Sequence, residues 1–198
     1  MGLDLVYGKG QTPLSEGEKE GLLLKHIGTQ GELNEIEQLY IEEATQWTMA
    51  RSFKKDIILR EEFLRGLHRR MYGEIWQWAG EFRRSDKNIG VDWKQIPIAV
   101  RTLIDDCKYW IDNTTFSEDE IAVRFKHRIV SIHCFPNGNG RHSRLVADVI
   151  VKKIFGKEVF SWGDITYEDR KQAREDYIAA LKEADKENIA PLMGFARR

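Results

Sequence analysis

An all-α domain interrupted by one short flap is the fold the sequence predicts, on three observations. Apolar residues recur at steps of three and four over most of the 198-residue chain, the spacing of helix faces. One stretch breaks that rhythm: EFRRSDKNIGVDWKQIP, residues 81–97, mixes charge with Asn88-Ile89-Gly90 and ends at Pro97, which predicts a short β-hairpin flap. No internal repeat and no long linker divides the chain, and its length suits a single compact unit. Within that unit, residues 1–50 are expected to form an N-terminal extension and helix, and 51–198 the core.

Residues 1–31 hold a cluster of glycines and read as an irregular lead-in with short turns. From Glu32, a helix face is set by Leu33, Ile36, Leu39, Tyr40, Ala44 and Trp47, with acidic residues between them facing water. The same period predicts one helix over 57–77, through Ile57, Phe63, Leu64, Leu67, Met71, Tyr72 and Ile75, with a break at Trp78-Ala79-Gly80. After the flap, Val100, Leu103, Ile104, Cys107 and Ile111 mark a helix over 98–112. Ser117 ahead of Glu118 and Glu120 starts another that runs to about Ile132. The run LVADVIVKKIF, residues 145–155, reads as an apolar helix ended by Gly156, with a buried strand as the alternative its β-branched centre allows. A last helix is predicted over 167–186.

Composition narrows the function classes. Lysine and arginine number 31 against 32 acidic residues, so no basic face argues for nucleic acid or an anionic membrane surface. Cys107 and Cys134 are too few for a disulfide scaffold and lack zinc-like spacing. The start MGLDLVYGKGQ has no secretion-signal pattern, and no apolar run is long enough to span a bilayer. A cytoplasmic location, with no membrane partner, is the expectation.

Chemistry concentrates in HCFPNGNGRHSR, His133 to Arg144. Gly138 and Gly140 permit backbone angles and close approach that a side chain forbids, and they stand just before a helix expected to begin near Arg141. Free backbone N–H groups at that helix start make an anion site. Arg141 and Arg144 share one face of the first turn and can both reach phosphate oxygens. Cations there oppose the helix dipole at a cost of roughly 0.3–1 kcal/mol each, which a bound anion offsets. A plain helix–turn–helix corner is the alternative that spacing alone leaves open. The loop is not a P-loop, because it follows a helix and lacks the Lys-Ser/Thr pair. His26, His68, His127 and His142 form no persuasive metal spacing.

The run HCFPNGNGRHSR resembles the Fic (Fic/DOC) signature HxFx(D/E)GNGRxxR, matching at His133, Phe135, Gly138, Asn139, Gly140, Arg141 and Arg144 and departing at Asn137. IWQWAGEFR, residues 75–83, is similar to the family's lead into its target-binding flap, and REDYIAAL with the following PLMGF is similar to its C-terminal part. TPLSEGEKEGLL and TQGELNEIEQ resemble a bacterial subgroup labelled mobile mystery protein B. The resemblance implies a Fic-type helical domain and a protein adenylyltransferase, a nucleotidyltransferase moving AMP from ATP to a Ser, Thr or Tyr hydroxyl of a target protein. On this sequence it implies His133 as general base and Gly138, Asn139, Gly140, Arg141 and Arg144 as phosphate-binding residues. Lys87, Asn88, Ile89 and Gly90 would form the target flap. Phe135 would pack into the core. The family's acid at position 137 ligates Mg²⁺; Asn137 keeps an oxygen but no charge, so it is a weak metal ligand. The alternatives are therefore a transferase on this scaffold with another donor, and a non-enzymatic helical interaction protein.

Many family members are restrained by a helix of pattern (S/T)xxxE(G/N), whose glutamate pairs with the second motif arginine. Thr12-Pro13-Leu14-Ser15-Glu16-Gly17 matches the letters and makes Glu16 the candidate inhibitory residue. The helix near TQGELNEIE lies closer to where an inhibitory helix is expected, but Thr29 is followed four positions on by Leu33, not by Glu. A separate inhibitor protein is the other route to restraint.

Overall fold

The computed structural model describes residues 12–163 and 170–198. The first part of the lead-in and the start of the last predicted helix, at 167–169, lie outside the described residues. Every regular element described is helical: α1 (Glu16–Glu20), α2 (Gln30–Ala50), α3 (Lys55–Ile58), α4 (Glu61–Tyr72), α5 (Ile96–Asp112), α6 (Glu118–Ile132), α7 (Asn139–Val149), α8 (Arg170–Ala184) and α9 (Ala190–Arg197). A 3₁₀ turn, Trp93–Gln95, leads into α5, and a π turn, Ile150–Ile154, extends α7.

α6 is the central element. Ile121, Ala122, Val123, Phe125, Lys126, Ile129 and Ile132 are all buried, and α5, α7 and α9 pack around it. α7 is nearly as enclosed, through His142, Ser143, Leu145, Val146, Ala147 and Val149. α2 packs against α4 and also touches α7. The loop of Cys134 to Gly138 therefore joins two buried helices, and its position is fixed from both sides.

Local chemistry explains the boundaries. Thr29 caps α2 through the Glu32 N–H while the Glu32 carboxylate takes the Thr29 N–H at 3.0 Å, so the helix starts at Gln30, ahead of the expected Glu32. The single helix expected over 57–77 is broken at Leu59-Arg60 into α3 and α4. Leu59, buried like Ile58, leaves the helical conformation at φ −91°, ψ 58° and ends α3. The apolar run 145–155 is helical, and Gly156 ends it with φ +72°. α1 lies in the lead-in expected to be irregular, where Ser15 and Glu18 form a complete capping box despite Gly17 and Gly21. α9, with Pro191 in its first turn, carries the PLMGF segment.

The β-hairpin flap is not formed: among the described residues there is no strand, and the one isolated bridge joins Leu22 to Trp76. Arg83 replaces the ladder. Its side chain is buried; Nε donates to the His133 carbonyl at 2.7 Å, Nη1 to the Ser85 carbonyl at 2.7 Å, and Nη2 to the Val91 carbonyl. The Arg83 N–H donates to Cys134 O at 2.9 Å and the Val91 N–H to Ile132 O at 3.3 Å. Residues 83–91 thus form an irregular arch tied down at Arg83, Ser85 and Val91 by one guanidinium and by the chain around His133, in place of cross-strand bonds.

Candidate active site

His133 ends α6 in the left-handed conformation, φ 56°, and its N–H still reaches Ile129 O at 3.3 Å. This turn lifts the imidazole off the helix face and under the arch. Gly90 closes over it: a Cβ there would lie 2.7 Å from His133 Cβ, and Gly90 itself has φ +101°. The imidazole is buried, and neither ring nitrogen has a protein partner among the described residues. Burial first, then the nearby positive charges of Arg83 and Lys87, push its pKa down to about 4. The ring is neutral at pH 7, the state a base requires. Replacing Lys87 with Met removes one cation, and the His133 titration followed by histidine NMR should move upward from about pH 4.

The loop beyond is held by its own amides. Asn139 Oδ1 accepts the Phe135 N–H at 2.9 Å and Nδ2 donates to Phe135 O at 2.8 Å. That side chain, expected to reach phosphate, instead clamps the loop. Asn137 Oδ1 accepts the Gly138 N–H at 2.6 Å, so the oxygen assigned to metal is turned onto the backbone. Gly138 is the N-cap of α7 at φ +77°, and a Cβ would meet the Tyr72 ring at 2.5 Å. Gly138→Ala should therefore misplace the loop and reduce thermal stability by about 1–3 kcal/mol, read from the unfolding midpoint. A Cβ at Gly140 would meet nothing within 4 Å. The N–H groups of Asn139, Gly140 and Arg141 occupy the first turn of α7, before any i−4 carbonyl of that helix.

His68, which the sequence left unassigned, braces this loop from α4. The Gly80 N–H donates to its Nδ1 at 3.0 Å, so the proton sits on Nε2, which donates to Asn137 O at 3.0 Å. The ring stacks on Phe135 with centroids 3.8 Å apart and interplanar angle 22°. His142 is likewise buried, with Nε2 on Leu64 O at 2.9 Å. Phe135 is in the core, as expected, and Trp76 is buried.

The two motif arginines differ. Arg144 Nε is buried without a protein partner, and its guanidinium carbon lies 5.0 Å from the Tyr177 ring centroid. Arg141 Nη2 pairs with Glu37 Oε2 at 2.7 Å, while Glu37 Oε1 accepts the Trp76 Nε1–H at 3.0 Å. Glu37 is buried on α2. Glu16 is elsewhere: its carboxylate is 86% exposed and pairs with Lys19 at 2.7 Å. Helical period had hidden Glu37 because acids between apolar residues read as a wet face; the legible signal was its place one turn after the buried Leu33.

His133, Asn137 to Arg141, Arg144 and Glu37 border one cleft of about 530 Å³, closed on another side by Ala173, Tyr177, Ile178 and Leu181 of α8. Four buried side-chain polar atoms lack a partner among the described residues: Tyr72 Oη, both His133 nitrogens and Arg144 Nε. Buried orphans are rare, and here all belong to this loop or to residues packed on it. Below, Lys126 is fully buried, donating to Tyr177 Oη at 2.5 Å, and burial holds its pKa well below the usual lysine range. Among the described residues no three His, Cys, Asp or Glu side chains group as a metal site. With Asn137 Oδ1 engaged by the backbone, the donor set does not fit a resident Mg²⁺.

Comparison with known proteins agrees with this geometry. A model of the Fic/DOC family matches residues 58–151. The chain is 28% identical over 146 residues to the protein adenylyltransferase Fic of Aedes aegypti, and 29% identical over 146 residues to that of Drosophila melanogaster. Each match covers 72% of this chain but only 28% of the relative. Among solved structures, the BepC effector of Bartonella tribocorum with bound AMPPNP aligns at TM-score 0.70 and 14% identity, covering 92% of this chain and 97% of that one. Fic-1 of C. elegans (residues 134–508) aligns at TM-score 0.68 and 20% identity, covering 96% and 56%. These structures share the fold. No helix among the described residues is long and apolar enough to cross a membrane.

Proposed function

We propose that this protein is a Fic/DOC-type nucleotidyltransferase that moves AMP from ATP to a Ser, Thr or Tyr hydroxyl of a target protein. The observation that carries the reading is the pairing, in one cleft, of a neutral unpartnered imidazole with the open first turn of α7 and with Arg144, whose Nε has no protein partner. The relatives' adenylyltransferase activity and the AMPPNP held by the BepC structure support it.

In this reading the N–H groups of Asn139, Gly140 and Arg141 receive phosphate oxygens at the positive end of α7. The apolar wall of Ala173, Ile178 and Leu181 receives the nucleoside. His133 takes the proton of the acceptor hydroxyl as its oxygen bonds to the α-phosphorus. The bond from that phosphorus to the bridging oxygen breaks, and pyrophosphate leaves with its charge held by Arg144 and Arg141. The rate comes from positioning and fixed charge. A divalent ion would arrive with the nucleotide as part of the substrate, because the protein offers only the neutral amide of Asn137. Asn137→Asp should then lower the Mg²⁺ concentration that supports half-maximal transfer by about tenfold, since a charged oxygen replaces a neutral one. Glu37 is the restraint in this scheme, because it holds the guanidinium that the outer phosphates need.

Incubation with each of the four nucleoside triphosphates, with intact-mass and peptide mass spectrometry of the products, tests the proposal. A mass gain of one AMP on a hydroxyl residue, given by ATP, is expected. Gain of a different nucleotide would keep the fold's transferase chemistry and replace the donor. No gain from any donor, in the Glu37→Ala variant as well, would sink the enzyme reading.

A further inference from the structure

The residues ahead of α2 lie across the arch that should receive the target. The Pro13 carbonyl accepts Lys87 Nζ at 3.0 Å. The Glu18 carboxylate, which accepts the Ser15 N–H at 2.7 Å and so closes α1 on itself, also takes Lys87 Nζ at 2.5 Å. The side chains of that pair are 7% and 14% exposed, so this is an enclosed contact and not a surface one. The Glu18 carbonyl further accepts the Trp78 Nε1–H at 3.0 Å. Thr12 and Leu14 are both buried and border the same cleft as His133 and Ile89.

We infer that residues 12–18 act as a strap that imitates the acceptor, covering the docking surface on the arch until a target segment of like chemistry displaces it. The inference rests on the transferase reading of the cleft, and it adds the class of acceptor. A displacing segment must supply what the strap supplies: a hydroxyl residue at the cleft in the place of Thr12, a backbone carbonyl for Lys87, and an apolar side chain where Leu14 is buried. It must also bring a carboxylate, because Lys87 beside Arg83 and His133 cannot be left enclosed without its counter-charge. The acceptor is therefore a Ser or Thr followed closely by an apolar residue and then an acid, not a basic or all-polar sequence.

The strap is suited to leave. α1 has five residues, too short to be stable by itself, and its cap and its hold on Lys87 share the single Glu18 carboxylate. Because strap and arch belong to one chain, the strap competes at an effective concentration on the order of millimolar. Free acceptor then binds poorly to the closed form, and opening the strap should reveal the surface.

The test uses a fluorescent peptide copying residues 11–20, QTPLSEGEKE, titrated into the full chain and into Glu18→Ala and Glu18→Gln variants. Both variants should bind the peptide at least about tenfold more tightly than the native chain, with ATP affinity unchanged, and adding Lys87→Met should abolish the gain. Equal peptide affinity in all forms, or ATP affinity that changes in parallel, overturns the strap. Transfer is a separate readout on the same samples. Peptide that binds the opened form but takes no AMP at its Thr, with Glu37→Ala also present, overturns the transferase reading and leaves the docking surface standing. AMP on that Thr, lost when the peptide carries Ala there, supports both. Two independent substitutions at Glu18 guard against a variant that merely fails to fold.

Discussion

His133→Ala should reduce transfer by roughly 10²–10⁴-fold, the usual contribution of a positioned base, while ATP affinity stays within about twofold. The split follows from the site's construction. In the proposed reaction the phosphates are received by α7 and the arginines, whereas His133, from the end of α6, serves only the acceptor. Because His133 is held at φ 56°, alanine at this position adds backbone strain of its own. His133→Asn is the better companion variant, since asparagine tolerates the left-handed region, and it should lose transfer just as fully without the strain. Transfer measured by mass spectrometry, beside ATP binding by calorimetry, reads both quantities. A fall in ATP affinity as large as the fall in transfer would show that the imidazole organises the nucleotide site instead of taking a proton.

The opposite sign is expected at Glu37. Its carboxylate and an incoming phosphate oxygen compete for the same guanidinium, at 2.7 Å in the resting form. A hydrogen bond to a charged group contributes about 1.5–3 kcal/mol, so Glu37→Ala should tighten ATP binding by about 10- to 100-fold and raise transfer with it. Stability should move the other way. The buried Trp76 Nε1–H loses its acceptor, at a cost of about 1–3 kcal/mol. Glu37→Gln separates the two effects: the amide oxygen can keep the Trp76 bond while the charge on Arg141 is lost. It should be nearly as stable as the native chain and still bind ATP more tightly. A parallel loss of stability and gain of affinity in Gln as in Ala would mean that the restraint lies in packing, not in charge.

Helices were legible where one face is buried and the other wet. The faces of α5 and α6 follow from period, and the cap of α6 from Ser117, but the face of α2 does not: Leu39 is 53% exposed while Glu37 and Thr48 are buried. The motif loop stood out in the sequence because glycines, arginines and a following helix converge within twelve residues, and folding places His133, Asn137 to Arg141 and Arg144 on one cleft. What escaped is what depends on contacts between distant parts of the chain. A carboxylate within an acidic helix surface, Glu37, is set apart chiefly by the arginine and the tryptophan that folding brings to it. His68 looks like any helical histidine until Gly80 and Asn137 fix its tautomer. Asn139 has the composition of a ligand, yet its geometry is that of a clamp. The flap was misread for the same reason: a charged stretch with a turn at Asn88-Ile89-Gly90 argues for paired strands, and composition cannot foresee that Arg83 will take the Ser85 and Val91 carbonyls.

That arginine has a consequence for how the arch is held. A hairpin ladder opens one rung at a time, from the turn inward, and so offers a graded set of partly open forms. The carbonyls of His133, Ser85 and Val91 are instead all tied to one side chain, that of Arg83. The closed arch over His133 thus depends on a single residue, whose loss would free three carbonyls at once, where no one substitution in a ladder does so.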